Sequence, residues 1–225
     1  MATVLITGAN RGIGLQLATL YAARGDTVLA AVREPAKAAQ LRALGTRVEI
    51  IQLDVTVEAC FAAAAKTVAG RPVDIVIANA GVIGPRGAAA DAQPAAVWAS
   101  VLAANVTGAF LTARAFLPHV IAAKGKIAIL SSIMASSQKS MGNSYAYRAS
   151  KAAAANIGAN LAVELKPHGV SVASYHPGWV QTDMGGASAD IPATVSAAGL
   201  VARIDHLSLA STGVFETYSG EKLVY

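Results

Sequence analysis

The sequence predicts one α/β domain over 1–225, with a doubly wound, mostly parallel seven-stranded sheet and helices on both faces. Three observations predict it. Short apolar runs alternate with longer amphipathic or alanine-rich runs along the chain. The short runs are apolar throughout, as strands covered on both faces are. The first of them enters a three-glycine turn that opens a helix, a connection that suits phosphate binding in such sheets.

Taken in order, residues 3–7 read as a strand and 12–24 as its helix. Strands at 27–32, 47–52 and 73–77 alternate with helices at 34–44 and 57–69. A glycine- and proline-rich stretch, 81–94, interrupts the pattern. Helices follow at 95–103 and 106–122, then a fifth strand at 126–130, a polar loop at 131–144 and a long helix at 145–165. A sixth strand at 170–175 leads into a glycine-rich loop, 176–192, expected to be mobile. A helix at 193–204 and a seventh strand at 213–217 end the pattern. Right-handed crossovers would set helices on both faces, and ligands would bind beyond the carboxyl ends of the strands, at the switch point. Thr7, Val32, Asn79, Ser131 and Tyr175 all fall at or just past those ends.

Composition narrows the class. Hydrophobic residues make up 54%, and much of the excess is alanine, a strong helix former, so closely packed helices are expected and not a membrane protein. No apolar stretch is expected to reach the roughly 18 uncharged residues a spanning helix needs. The N-terminus carries no basic-then-apolar leader. The net charge is +5, but the basic residues are scattered, so no nucleic-acid surface is expected. Cys60 is the only cysteine. It can form no internal disulfide, which fits a cytoplasmic location. No metal site is expected.

The first strand runs into Thr7-Gly8-Ala9-Asn10-Arg11-Gly12-Ile13-Gly14. Glycines there allow a tight turn and close backbone approach, and the helix start offers unpaired N–H groups to phosphate. The turn is not the G-x-G-x-x-G fingerprint, because Leu17 stands at its third position. The spacing T-G-x-x-x-G-x-G instead resembles the short-chain dehydrogenase/reductase family. Five further matches follow in order: Asn79-Ala80-Gly81 after the fourth strand, Asn105 in a helix, Ser131-Ser132 after the fifth strand, Tyr147-x-x-x-Lys151, and Pro177-Gly178 with Thr182 beyond. The segments Tyr145-Ala146-Tyr147-Arg148-Ala149-Ser150-Lys151 and His176-Pro177-Gly178-Trp179-Val180-Gln181-Thr182-Asp183-Met184 resemble the sniffer-like and C-factor-like branch of that family. The resemblance implies a Rossmann domain and a nicotinamide cofactor.

NADP(H) is the expected cofactor. The second strand ends at Ala31-Val32-Arg33, where an NAD site usually has an acidic residue, and the Arg33 guanidinium suits a phosphate monoester. Arg11 could supply a second charge. Gly8, Asn10, Gly12, Ile13 and Gly14 would cradle the pyrophosphate. The resemblance implies that Asp54 and the Val55 backbone contact adenine, although Asp54 could simply cap the next helix. It also implies cofactor contacts from Asn79, Ala80, Gly81, Tyr147, Lys151, Pro177 and Gly178, with Thr182 and the backbone near Val180 at the nicotinamide amide. The Asn79 amide could mostly brace the sheet.

Tyr147 and Lys151 are four apart on a predicted helix and share a face. A nearby ammonium would lower the phenol from its usual pKa near 10 and make it a usable acid and base. The expected reaction is carbonyl reduction. Hydride comes from NADPH, Tyr147 gives the proton, Ser132 holds the substrate oxygen and Lys151 also binds the nicotinamide ribose. Asn105 holds a water linking Lys151 to solvent. In many family members the serine stands 13 before the tyrosine, where this chain has Met134, so Ser131 and Ser136 stay open beside Ser132.

The substrate is expected to be a hydrophobic carbonyl or alcohol, in a pocket drawn from Val82, Ile83, the rest of the 82–94 loop, Met134, Met141, Trp179 and Met184. The alternative is an NADP(H)-binding regulator with little turnover. A sugar-nucleotide epimerase would usually need a larger segment than the 48 residues after Pro177, and enoyl reductases space the tyrosine and lysine more widely. The resemblance also implies a homodimer or homotetramer built on the helices near 106–122 and 146–165.

Overall fold

The computed structural model describes residues 1–85 and 93–224. Strands β1 (Thr3–Thr7), β2 (Thr27–Val32), β3 (Val48–Gln52), β4 (Ile75–Ala78), β5 (Lys126–Leu130), β6 (Ser171–His176) and β9 (Phe215–Thr217) form one sheet in the order β3-β2-β1-β4-β5-β6-β9. Every pair is parallel. Winding reverses between β1 and β4, which pair through Val4–Ile75, Leu5–Val76 and Ile6–Ile77. The crevice beyond their carboxyl ends is therefore the switch point. Two short strands, β7 (Val180–Gln181) and β8 (Ile191–Pro192), pair with each other outside this sheet.

Alternation along each strand feeds two cores. Leu5, Val76, Ile127 and Ile129 face one layer, made with α3 (Glu58–Thr67), α5 (Gly108–Ala122) and α6 (Tyr145–Leu165), which supply Phe61, Phe116 and Leu161. Val4, Ile6, Ile77 and Ala128 face the other, covered by α1 (Gly12–Ala23) and α7 (Ala193–His206) with Leu17, Tyr21 and Leu200. Full burial of a side chain such as Phe116 contributes roughly 1.5–3 kcal/mol.

Several elements differ from the sequence expectation. The helix expected over 34–44 is a 3₁₀ turn at Pro35–Lys37 and a four-residue helix, α2 (Ala39–Arg42). Proline fixes the start of the first turn and offers no N–H to extend it backwards. The fourth strand begins at Ile75 rather than at 73, and just before it the Asp74 carboxylate accepts from the Thr3 N–H at 2.7 Å. The helices expected at 95–103 and 106–122 are one run: α4 (Ala95–Leu102) passes through a π-turn at Ala103–Thr107 into α5.

That run also corrects the expectation that no apolar stretch is long enough to span: Ala95–Ala122 is 28 residues long and holds an 18-residue stretch of mean hydropathy 1.5, enough by length and composition alone to cross a membrane. One side of it lies in the core, where Val101, Leu111, Phe116 and Val120 are buried, while Phe110 is exposed. Asn105 is buried in its middle and makes three side-chain hydrogen bonds, to Val82 and Ser150. The run is an alanine-rich layer helix of a doubly wound domain.

Candidate active site

The glycine turn after β1 is locked by its neighbours. Gly8 has φ 66° and Gly12 φ 53°, conformations that glycine adopts without strain. A Cβ on Gly14 would stand 2.3 Å from the Gly8 carbonyl oxygen and 2.6 Å from the Asn79 amide nitrogen. Asn79 Nδ2 donates to the Thr7 carbonyl at 2.8 Å and to that of Gly8 at 3.2 Å. The Thr7 hydroxyl oxygen accepts from the Asn79 and Ala80 backbone N–H groups, each at 3.1 Å. Thr7 and Asn79 thus tie β1 to β4 across the switch point, which is the bracing role weighed for Asn79. Helix α1 starts with no side-chain cap, so its first N–H groups, from Gly12, Ile13 and Gly14, face the crevice without an intrahelical acceptor. Asn10 is half-buried in the turn.

The two arginines at the crevice differ. Arg11 pairs with Asp183 at 3.0 Å, joining the glycine turn to the loop after β6. Thr182 is drawn in beside it, its Cγ2 3.1 Å from where a Gly12 Cβ would be. Arg33, beyond β2, is 72% exposed, and its one ion pair among the described residues is with Glu34, at 3.5 Å. Glu34 is itself held by Lys37 at 2.6 Å. Partial burial pushes the Asp54 carboxyl up, but the Thr56 hydrogen bonds and, less strongly, the Arg33 guanidinium hold it below its usual range. Asp54 Oδ1 accepts from the Thr56 N–H at 2.9 Å and its hydroxyl at 2.7 Å, so it shapes its own turn. Val55 packs under α5, where a Gly108 Cβ would lie 2.8 Å from the Val55 carbonyl oxygen.

On α6, Tyr147 is buried to 8% exposure and Lys151 to 6%. The Lys151 ammonium lies 5.7 Å from the centre of the Tyr147 ring and donates to the Leu130 carbonyl, at the carboxyl end of β5, at 2.8 Å. Burial lowers its pKa to about 8. The same ammonium would be 3.5 Å from a Gly81 Cβ, so the phenol–ammonium pair sits against the segment that follows β4. The serines take separate tasks. Ser131 Oγ donates to the Lys151 carbonyl at 2.7 Å. Ser132 Oγ accepts from the Met134 N–H at 3.1 Å. Ser136 is buried, and its backbone links two 3₁₀ turns. Arg148 fastens the 131–144 loop over α6 by donating to the carbonyls of Asn143 and Lys139, at 3.0 and 2.8 Å.

The π-turn carries Asn105 inward. Its Oδ1 accepts from the Val82 N–H, and its Nδ2 donates to the Val82 carbonyl, both at 2.8 Å. Nδ2 donates again, to Ser150 Oγ, at 2.9 Å. In the loop after β6, Pro177 accepts from the Ser196 hydroxyl at 2.6 Å. A Gly178 Cβ would lie 2.7 Å from Ile191. Val180 is buried in the β7–β8 pair. The Trp179 indole donates to the Gly185 carbonyl at 2.9 Å.

Of the expected pocket side chains, Met141 is 73% exposed and Trp179 48%. The part of the expected pocket wall at 86–92 lies outside the described residues. A cavity of about 510 Å³ lined by Lys124, Lys126, His168 and Leu209 opens at the opposite, amino end of β5 and β6, away from this chemistry.

Sequence reasoning gave no role to Thr7, Arg148, Ser150 or Asp183. Only Ser150 carried a usable signal, a small hydroxyl three residues after Tyr147 on a face that had to be buried.

A parallel sheet with this strand order, a glycine turn at its switch point and a buried tyrosine–lysine pair beside it define a nucleotide-binding oxidoreductase class. The family model for short chain dehydrogenase matches residues 2–191, and the chain belongs to that family. C-signal of Myxococcus xanthus is 38% identical over 154 residues, which cover 68% of this chain and 92% of that protein. The carbonyl reductase Sniffer of D. melanogaster superposes with a TM-score of 0.93 at 28% identity, covering 100% of both chains. An NADPH-bound carbonyl reductase from chicken fatty liver gives 0.92 at 29% identity, covering 100% of this chain and 99% of that one. A nicotinamide dinucleotide fits the residues present. The turn after β1 carries no side chain at Gly8, Gly12 and Gly14, the first N–H groups of α1 are uncapped and an exposed guanidinium follows β2.

Proposed function

We propose that this chain is an NADP(H)-dependent carbonyl reductase, interconverting a hydrophobic ketone or aldehyde and its alcohol, with Tyr147 as general acid and base. The observation that carries this reading is the buried Lys151 ammonium 5.7 Å from the Tyr147 ring, against the Gly81 backbone at the crevice. Arg33 supports NADP(H) over NAD(H). Its guanidinium is exposed where the 2′-phosphate would be read, and Glu34, the nearest carboxylate in sequence, is held by Lys37. The phosphates would lie on Gly8–Gly14, with Asp54 and Val55 toward adenine and Pro177, Gly178, Val180 and Thr182 toward the nicotinamide.

When bound, the cofactor supplies or accepts the hydride. Tyr147 donates its phenolic proton to the carbonyl oxygen as the alcohol forms. With a pKa of about 8, Lys151 is mostly an ammonium at neutral pH, and that charge holds the resulting phenolate. Ser132 takes the substrate oxygen. Its Oγ accepts from Met134 N–H and leaves its own O–H to donate, whereas the Ser131 hydroxyl is spent on the Lys151 carbonyl. Both amide hydrogens of Asn105 are engaged by Val82 and Ser150, so that side chain positions Gly81–Val82, and a water linking Lys151 to solvent would be held as a donor to the oxygens of Asn105. The lone Cys60 supports a cytoplasmic location. Self-association would use the α5 and α6 faces, where Phe110 and Val163 are exposed.

A panel of aldehydes and ketones assayed with NADPH and NADH tests this reading. Tyr147→Phe is expected to lower turnover by a factor of about 10² or more, with NADPH binding, followed by its fluorescence, changed less than threefold. A near-normal rate in Tyr147→Phe would sink the mechanism. NADPH binding by the native chain with no turnover across the panel would favour a regulatory protein.

A further inference from the structure

We propose that Ser150 is a positioning residue of the reaction, the joint that sets the cofactor-facing Gly81–Val82 backbone in register with the Tyr147 phenol. The inference rests on the carbonyl-reductase reading above and assigns a task to a residue which that reading leaves idle.

Ser150 is fully buried. Its Oγ donates to the Tyr147 carbonyl at 2.7 Å and accepts from Asn105 Nδ2 at 2.9 Å. A hydroxyl has one hydrogen, so these two bonds fix its orientation. Asn105 grips Val82 at both backbone polar groups. A Gly81 Cβ would meet Asn105 Oδ1 at 2.9 Å and the Lys151 ammonium at 3.5 Å. The connection runs from the backbone after β4, through the π-turn side chain, to the one turn of α6 that carries both reactive groups. Ser150 stands between them in sequence, three after Tyr147 and one before Lys151.

The π-turn is what makes this reach possible. One extra residue in the turn swings Asn105 toward α6 instead of leaving it on the regular helix face. Alanine at 150 would leave a buried amide hydrogen of Asn105 unpaired, which disfavours the present geometry. The relief is a shift of Asn105, and with it Val82 and Gly81, relative to Tyr147 and Lys151. Displacements well below the size of an atom reduce rates when the reacting groups must be aligned. A hydroxyl-bearing replacement restores the connection, because threonine in a helix also bonds back to the preceding turn.

The test compares Ser150→Ala, Ser150→Thr and Ser150→Cys with the native enzyme in NADPH-dependent carbonyl reduction. Kinetic constants, the pH profile of kcat/KM, NADPH fluorescence and thermal unfolding are recorded for each. Ser150→Ala is expected to lower kcat at least tenfold with KM for NADPH within threefold. Its alkaline limb should move upward by half a pH unit or more, as the lysine's hold on the phenol slackens. Ser150→Thr is expected to restore both to near native values. If Ser150→Ala does not fold, Ser150→Cys takes its place, because a thiol is a poor substitute for the hydroxyl in both bonds. A native kcat and an unmoved limb in the hydroxyl-free variants overturn the proposal. So does a loss that merely follows the fraction unfolded. Tyr147→Phe in the same assays separates the two ideas: if it stays active, the catalytic reading itself has failed, whatever Ser150 does.

Discussion

At the scale of single residues, the chemistry turns on which charges are already spent. Arg11 is engaged with Asp183, while Arg33 meets a carboxylate only at 3.5 Å. Arg33 is therefore the charge available for a 2′-phosphate. A charge-assisted hydrogen bond contributes about 1.5–3 kcal/mol, or roughly 10- to 150-fold in affinity. Arg33→Asp should weaken NADPH by about that factor or more and leave NADH within a few-fold, measured as dissociation constants by fluorescence titration. Equal losses for both cofactors would remove Arg33 from the site. The phenol–ammonium pair was legible in the sequence because Tyr147 and Lys151 are local, four apart on one helix. The partner of Arg11 was not, because it stands 172 residues away. The task of Ser131 was not either, since its hydroxyl reaches across to the Lys151 carbonyl. A one-dimensional spacing cannot report which of two adjacent serines is already occupied.

At the scale of elements, helix α6 reaches the site by lying very close to the sheet. A Cβ on Gly158 would be 2.3 Å from Ser174 Oγ on β6, and that hydroxyl is buried with no hydrogen-bond partner among the described residues. Backbone contact of this kind holds the Tyr147–Lys151 turn near the end of β5. Gly158→Ala gains up to about 1 kcal/mol of helix propensity, but overpacking costs about 1–3 kcal/mol, so a net loss of stability is expected. Ser174→Ala should be neutral or mildly stabilising, because it removes an unpaired buried hydroxyl. The double variant should recover most of the loss, giving a coupling above about 1 kcal/mol in chemical denaturation. Simple additivity would mean that the two side chains do not meet. Most elements could be read from apolar runs. The failures were local: Pro35 broke an expected helix, and the π-turn fused two others. The β7–β8 pair, only two residues long on each strand, left no periodic signal to find. The π-turn was the most consequential miss, because it delivers Asn105.

At the scale of the whole molecule, the same architecture that aligns the site loads the fold with a cost. The alternation of strands and helices announced a doubly wound sheet. It did not announce that the reversal falls between β1 and β4, or that the lysine beyond it would be almost wholly enclosed. Lys151 has one close carbonyl partner, Leu130, and burial lowers its pKa from 10.5 to about 8. The unfolded chain keeps that proton up to about pH 10.5, whereas the native chain releases it near pH 8. Between these values the unfolded state binds more protons, so the contribution of Lys151 makes stability rise with pH across that window. Below about pH 8 both states are charged, and the native state carries the full cost of an enclosed ammonium. Lys151→Met keeps the volume and removes the charge. It should abolish turnover, yet at pH 7 it should raise the free energy of unfolding by about 1–3 kcal/mol, net of the Leu130 carbonyl left unpaired. The advantage of the variant should fade as the pH climbs from about 8 toward 10.5, while other titrating groups cancel in the difference between the two proteins. Urea unfolding of both proteins from pH 6 to 10.5 measures it. A constant difference across that range would mean that Lys151 titrates in the fold as it does in water, and its charge would then cost the native state nothing.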